Sequence, residues 1–474
     1  MKKYIPTVGL EIHVHLKTAT KMFCGCSTDT EAAANTNICP GCLAYPGTLP
    51  LLNGEAVRKG AVAGMMLGCA INRVSAFERK NYFYPDASKN YQITQYARPI
   101  CLGGGVTFDV DGAQKTVRLN RIHLEEDVAK SLHYPKCSGV DFNRCGMPLI
   151  EIVTEPELGS ADEVVAFLGA LRQILVYADV SDCNLEEGQM RCDVNVSVRP
   201  EGTTKLGTRV EIKNMNSFSN IHDALTYEVS RQVSVLEAGG TLRQETRRWD
   251  PDMNETAAMR TKENDHDYRY FPEPDIPPIV LEAAQIEAWR AMLPELPSTK
   301  RERFVAAYAI PDYDAGVLSA QREIADYFEA TAKGCNNPKA ASNWIMTDVL
   351  RYLGETGKDI ATLPLTAAIL SELILLVDKK VINMPTAKTL FAELIEKGGS
   401  PEAMVKERGL GQVSDTAAIE KFAAETIAAN PKVVEDFKSG KQPALQFLVG
   451  QVMKLSKGKA NPQLAADIIE SKII

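Results

Sequence analysis

Residues 7–17, TVGLEIHVHLK, alternate strictly. Val8, Leu10, Ile12, Val14 and Leu16 fall on one side, and Gly9, Glu11, His13, His15 and Lys17 on the other. A period of two belongs to a strand with one buried face, so the spacing predicts a strand whose open face carries a carboxylate and two imidazoles. Residues 191–198 repeat the pattern, with Val194, Val196 and Val198 opposed to Asp193, Asn195 and Ser197. Residues 209–213 place Arg209, Glu211 and Lys213 together, and residues 148–154 set Glu151 among Leu, Ile and Val.

Helices interrupt these strands. Ser160 and Glu163 form a capping box, and Val164, Phe167, Leu168, Leu171 and Leu175 follow at helical spacing. A second helix is predicted over about 221–237, ending at Gly239 and Gly240. The first part of the chain therefore reads as an α+β domain on an antiparallel sheet. The proline-rich runs 272–278 and 294–297 end the alternation. Beyond them the sequence is Ala- and Leu-rich, with Ser298 and Thr366 as helix caps and a break at 398–401. The expected division is 1–292, an all-α domain over 293–400, and a small all-α tail over 401–474. In the tail, Lys438, Lys441, Lys454, Lys457 and Lys459 have no acid between the first and last, and Leu445, Leu448, Val449 and Val452 form an apolar stripe. Such a basic rim suits an RNA backbone, although a solvated lysine face is the commoner use of lysines.

At 474 residues the chain exceeds one compact core. Its 45% hydrophobic and 24% charged content are those of a soluble globular protein. A net charge of −8 argues against a generic nucleic-acid binder but leaves room for a local basic surface. No signal-like leader is seen, and the apolar stretch 363–377 is too short to span a bilayer. A cytosolic location without membrane contact is expected, where eleven cysteines suggest metal ligation rather than disulfides.

Cys24-x-Cys26 and Cys39-x-x-Cys42 are two close pairs separated by twelve residues, the spacing of a tetrahedral structural zinc site. Such a site is saturated and leaves no position for catalysis. The acids on strands form a second set: Glu11 with His13, then Glu125, Glu126 and Asp127, then Glu151 and Asp193. Hard divalent cations prefer oxygen ligands, and acids on neighbouring strands are placed to converge on one. Each alone is more often a surface acid; Glu151 departs most from that, because its neighbours read as buried. No GxxxxGK[ST], GxGxxG or GxSxG motif is present, so any nucleotide is held without a common phosphate loop. Aromatic residues interleave with basic ones over 79–86, 91–96 and 267–275, a composition that packs cores or stacks a nucleobase.

The segments GLEIHVHLKT, KMFCGC, LAYPGTLP, RKNYFYPD, HLEEDVAKS, NRCGMPLIEIVTEP, EEGQMRCDVNVSVRP, VEIKNMNSF, QETRRWD and DYRYFPEPD, with FLVGQVMKLSKGKANPQL near the end, run in order through the chain. Together they resemble the B subunit of the bacterial tRNA-dependent amidotransferases, with a tail similar to the YqeY family. The resemblance implies an N-terminal cradle domain, a helical domain and a tRNA-binding tail. It implies a heterotrimer with an amidase (A) subunit and a small C subunit, acting on Glu-tRNA(Gln), Asp-tRNA(Asn) or both. ATP would phosphorylate the side-chain carboxylate of the tRNA-bound amino acid, and ammonia channelled from the A subunit would displace the phosphate. The resemblance places the Mg²⁺ and catalytic residues at Glu11, His13, Glu125, Glu126, Glu151 and Asp193, leaves His15 unassigned, and allows structural zinc at Cys24, Cys26, Cys39 and Cys42. Two rival readings are a freestanding ATP-dependent ligase on a small acid, and a non-catalytic tRNA-binding subunit.

Overall fold

The computed structural model describes residues 3–259, 265–411, 416–441, 443–456, 460 and 462–473. It divides into two compact units, Met1–Leu296 and Pro297–Ile474.

The first unit is organised around the Tyr4–His15 strand. Its alternation places Val8, Leu10, Ile12 and Val14 in the core, each at most 1% exposed. Full burial of such side chains contributes about 1.5–3 kcal/mol each, which fixes the register, since a one-residue slip would expose all of them. Met190–Pro200 and Pro148–Thr154 flank this strand, both antiparallel. The sheet path runs Glu255–Ala258, Glu245–Asp250, Val210–Lys213, Met190–Pro200, Tyr4–His15, Pro148–Thr154, Ala113–Glu126, Tyr91–Thr94, Glu78–Asn81 and Phe271–Pro272. The helices Gly54–Met66, Ala161–Tyr177 and Phe218–Glu237 share one hydrophobic cluster with the apolar side of the sheet. Gly60 permits the close approach of the first helix, because a Cβ there would stand 2.8 Å from Leu124 Cδ2.

One pair departs from the antiparallel expectation: Val210–Lys213 and Glu245–Asp250 are parallel. Parallel neighbours need a crossover, and the helix Phe218–Glu237 between them supplies it. Ser160 and Ser217 cap their helices through backbone N–H groups of Glu163 and Asn220.

The second unit is helical among the described residues and contains two hydrophobic clusters, one spanning Phe304 to Val405 and one Ile419 to Ile473. The helix Pro401–Glu407, placed in the tail by a division at 400, contributes Val405 to the former cluster. Thr366 caps its helix as expected, whereas Ser298 lies inside the helix Pro297–Tyr308. Among the described residues no helix is long and apolar enough to cross a membrane.

Candidate active site and thiolate centre

The sheet face opposite the core lines a cleft of about 900 Å³. Strand alternation decides which side chains reach it. Glu11 and His13 come from the first strand, Asp193 from Met190–Pro200, Glu151 from Pro148–Thr154, and Arg121, His123 and Glu125 from Ala113–Glu126. Register aligns them in rows. His123, Glu151 and His13 are successive cross-strand partners, and Glu11 is paired with Asp193.

Two clusters result, each with its ligand atoms within 4.8 Å of one another: His13, Glu125 and Glu151, and Glu11, Asp193 and Glu211. In the first, His13 Nε2 lies 3.4 Å from Glu125 Oε1 and 3.3 Å from Glu151 Oε2. His123 Nε2 is also 3.3 Å from Glu151 Oε2. Burial alone would lower the His13 pKa, but the hydrogen bond to Glu151 and the charges of Glu151, Glu125 and Asp193 outweigh it and raise the pKa to about 9. Burial pushes Glu151 the other way, and the imidazoles of His123 and His13 more than reverse it, holding the carboxyl well below its usual range. In the second cluster, Lys213 Nζ bonds Asp193 and lies 3.5 Å from Glu211 Oε1. Asn195 Nδ2 donates to Glu11 Oε1 at 3.1 Å, and Thr246 Oγ1 to Glu211 Oε2 at 2.8 Å. Both clusters thus already gather positive charge, a proton in one and an ammonium in the other.

Five of the six acid and histidine ligands expected from sequence meet here; Glu126 does not. As the residue after Glu125 it points to the opposite face, where it pairs with Lys89 at 2.5 Å and accepts from Ile93 N at 3.1 Å. It lines a separate cavity of about 250 Å³, together with Phe23, Cys42, Lys89 and Tyr91. Asp127 is also elsewhere, buried against Arg191 and His15, each at 2.8 Å. Burial would raise its carboxyl, but Arg191, His15 and Arg144 hold it far below the usual range. His15, expected on an open face, is 7% exposed.

Sequence spacing does not single out Glu211 and His123 as ligands. Glu211 sits on an alternating strand with Arg209 and Lys213, so its face is legible, but charged neighbours make it resemble an ordinary surface position. The aromatic segments come together at the cleft wall. Tyr96 and Tyr270 stack with centroids 4.4 Å apart, Tyr268 packs edge-on to Tyr270, and Lys80 Nζ lies 4.9 Å from the Tyr268 ring centre. Arg79 instead anchors Phe271–Pro272 through Glu273 at 2.6 Å.

The four cysteines Cys24, Cys26, Cys39 and Cys42 converge with their sulfurs within 4.8 Å of one another. The Cys24 thiol donates to Cys42, which lowers the Cys42 pKa and raises that of Cys24. Lys21, fully buried, places Nζ 3.8 Å from Cys42 Sγ and bonds the carbonyls of Asn37 and Phe142 at 2.8 and 3.2 Å. This donor set fits a structural metal, and no open ligand position is left in a four-thiolate shell.

The first unit thus presents an acid-floored cleft on a largely antiparallel sheet. The family model for the GatB/GatE catalytic domain matches residues 6–287, and that for the GatB domain matches residues 326–473. The chain is 49% identical over 472 residues to the B subunit of the aspartyl/glutamyl-tRNA(Asn/Gln) amidotransferase of Caldanaerobacter subterraneus subsp. tengcongensis, covering 99% of both chains. It is 50% identical over 471 residues to the protein of the same name from Chlorobium chlorochromatii, again covering 99% of both. To that from Carboxydothermus hydrogenoformans it is 47% identical over 478 residues, covering 100% of this chain and 99% of the relative. The chain belongs to the family of tRNA-dependent amidotransferase B subunits.

Proposed function

We propose that this chain is the subunit that activates and amidates the side-chain carboxylate of Glu-tRNA(Gln), Asp-tRNA(Asn) or both, in a cytoplasmic heterotrimer with an amidase (A) subunit and a small C subunit. The observation that carries the reading is the pair of clusters on one cleft floor, His13–Glu125–Glu151 and Glu11–Asp193–Glu211. Their oxygen-rich donor sets suit Mg²⁺, which usually takes one or two carboxylates plus substrate phosphate oxygens. The raised His13 pKa and the bound Lys213 ammonium support that fit, because both clusters attract a cation. When bound, Mg²⁺ supplies charge neutralisation on the phosphates of ATP.

The chain's own residues do the rest. A carboxylate is a poor acyl donor to ammonia and an acyl phosphate a good one, so the cleft must align a terminal phosphate with a carboxylate and keep water out. The Tyr96–Tyr270 stack and Tyr268 suit the flat face of a nucleobase, from the nucleotide or the tRNA terminus. The proton released as ammonia becomes an amide passes to a carboxylate of the floor, with phosphate leaving on its own oxygen. Cys24, Cys26, Cys39 and Cys42 hold one structural zinc, and the lysine-bearing tail contacts tRNA phosphates.

Conversion of Glu-tRNA(Gln) and Asp-tRNA(Asn) is assayed with and without the A and C subunits, ATP and Mg²⁺. Ammonia-driven conversion that requires this chain, ATP and Mg²⁺ supports the reading. Conversion of a free small acid without tRNA or partners would replace it with a freestanding ligase.

A further inference from the structure

Arg121 is a half-buried cation for which no acceptor is found among the described residues. It lines the cleft at one end of a cross-strand row formed with Val153, Glu11 and Asp193. Its ladder partners on either side are Val153 and Leu102, neither of which offers a side-chain acceptor. Its Nε is shielded from solvent and has no hydrogen-bond partner, and no described carboxylate lies within ion-pair distance of the guanidinium. The neighbouring basic side chains differ: Lys213 is held by Asp193, and His13 and His123 lie beside Glu151. A dehydrated donor without an acceptor is costly, and a ligand that completes it removes the cost. Arg191 and Arg199 also leave Nε unpaired, but each places another guanidinium nitrogen on an acceptor, Asp127 and the Thr203 carbonyl.

We propose that Arg121 grips the phosphate chain of the nucleotide, with the terminal phosphate turned towards the acid clusters. This rests on the phosphoryl-transfer reading above, which brings two anions to the cleft, a triphosphate and the carboxylate to be activated. The triphosphate is the better match. A guanidinium fork presents parallel N–H donors to paired oxygens, and on the substrate carboxylate it would tie up the lone pairs needed for attack. The cleft wall also carries Lys80, Arg209 and Arg248, more positive charge than one carboxylate requires. As the carboxylate oxygen forms its bond to the terminal phosphorus, the bond from that phosphorus to the bridging oxygen breaks. Its electron pair leaves on the diphosphate, so charge grows on the group Arg121 holds.

The test uses the full chain assembled with its A and C subunits. Binding of Mg·ATP and Mg·ADP is measured by equilibrium dialysis without tRNA, alongside thermal midpoints with and without nucleotide. Arg121→Gln is expected to weaken nucleotide binding at least tenfold, and Arg121→Lys to restore little of it, because an ammonium lacks the fork. The nucleotide-free midpoint of Arg121→Gln stays level or rises, since no partner among the described residues is removed, while its gain on adding Mg·ATP shrinks. The apparent KM for aminoacyl-tRNA at saturating ATP is unchanged. Wild-type affinity in Arg121→Gln overturns the proposal, whether the midpoint falls, marking a structural arginine, or the aminoacyl-tRNA KM rises, marking a carboxylate receptor. A wild-type complex that binds no nucleotide overturns the phosphoryl-transfer reading as well, which separates the two failures.

Discussion

Glu125 and Glu126 are consecutive residues that face opposite sides of the same strand: Glu125 lies 3.4 Å from His13 in the cleft, and Glu126 lies 2.5 Å from Lys89 in the cavity behind the sheet. One carboxylate is placed to serve a cation and the other to neutralise a buried ammonium. The same substitution at the two positions therefore has different consequences.

Glu125→Gln removes a charged oxygen from the His13–Glu125–Glu151 cluster while nearly keeping its shape. Mg²⁺ affinity is expected to fall, and amidation to slow on the order of 100-fold or more, with ammonia or with glutamine as nitrogen source. Glu126→Gln leaves Mg²⁺ affinity unchanged and strands Lys89, whose side chain is only 13% exposed. Breaking a buried pair from one side costs about 3 kcal/mol, so denaturant unfolding is the measurement that shows it. Equal loss of Mg²⁺ affinity in both variants would contradict this division.

The thiolate centre predicts metal content and a stability link. About one zinc per chain is expected by elemental analysis, because four thiolates make a closed tetrahedral shell. Cys39→Ser, or chelation of the wild-type protein, removes the anchor of a polar loop that buries little of itself, and the thermal midpoint falls. Lys21→Met is expected to weaken zinc retention, since the buried ammonium beside Cys42 offsets the charge of the thiolate set. A zinc-free protein of unchanged stability would refute the assignment.

Much of the floor was legible because strand alternation is a local code. Glu11, His13, Glu151 and Asp193 can each be put on a polar face from their own segments. What alternation cannot give is strand order, and strand order decides which polar faces meet. Glu211 joins Glu11 and Asp193 only because Val210–Lys213 pairs beside Met190–Pro200. Proximity in sequence groups the adjacent acids of HLEED, although a period of two sends neighbours to opposite faces. His15 shares the parity of His13 but is buried by Asp127, a contact between residues 112 positions apart. The cysteine pairs need no such long-range information, since their spacing alone matches a metal site. A Gly–Gly–Ser–Pro break suggests the boundary near residue 400, yet the next helix still packs Val405 into the preceding core.

That last point sets where a tail truncation belongs. Ending the chain after about Gly411 spares Val405 and removes the cluster from Ile419 to Ile473. Of the five lysines, Lys441 is paired with Asp436 at 2.8 Å, Lys438 and Lys454 are described in no ion pair, and Lys457 and Lys459 lie outside the described residues. The truncated protein is expected to bind tRNA more weakly, with a log–log salt slope flatter by about 0.9 for each phosphate no longer neutralised. Ammonia-driven turnover at saturating tRNA partly survives. Filter binding across a salt series decides the matter, and an unchanged slope would place the tRNA-binding surface elsewhere.

His13 links pH to the first cluster in two opposite ways. In the metal-free protein its pKa is raised from 6.5 to about 9, because the hydrogen bond and charge of Glu151, with Glu125 and Asp193, outweigh the effect of burial. The protonated ring therefore predominates at neutral pH. A raised folded-state pKa contributes stability that is fully present below about 6.5 and is lost as pH rises through 9. The metal-free thermal midpoint is thus expected to decline across that window. Mg²⁺ affinity moves the other way: a ring nitrogen that ligates a cation must first release its proton, so binding tightens as pH rises, approaching tenfold per unit below 9. Calorimetric titration with Mg²⁺ at several pH values reads both the affinity and the protons released. His13→Asn is expected to flatten the affinity slope. A wild-type Mg²⁺ affinity independent of pH between 6.5 and 9 would remove His13 from the ligand set, leaving Glu125 and Glu151 to bind the ion without it.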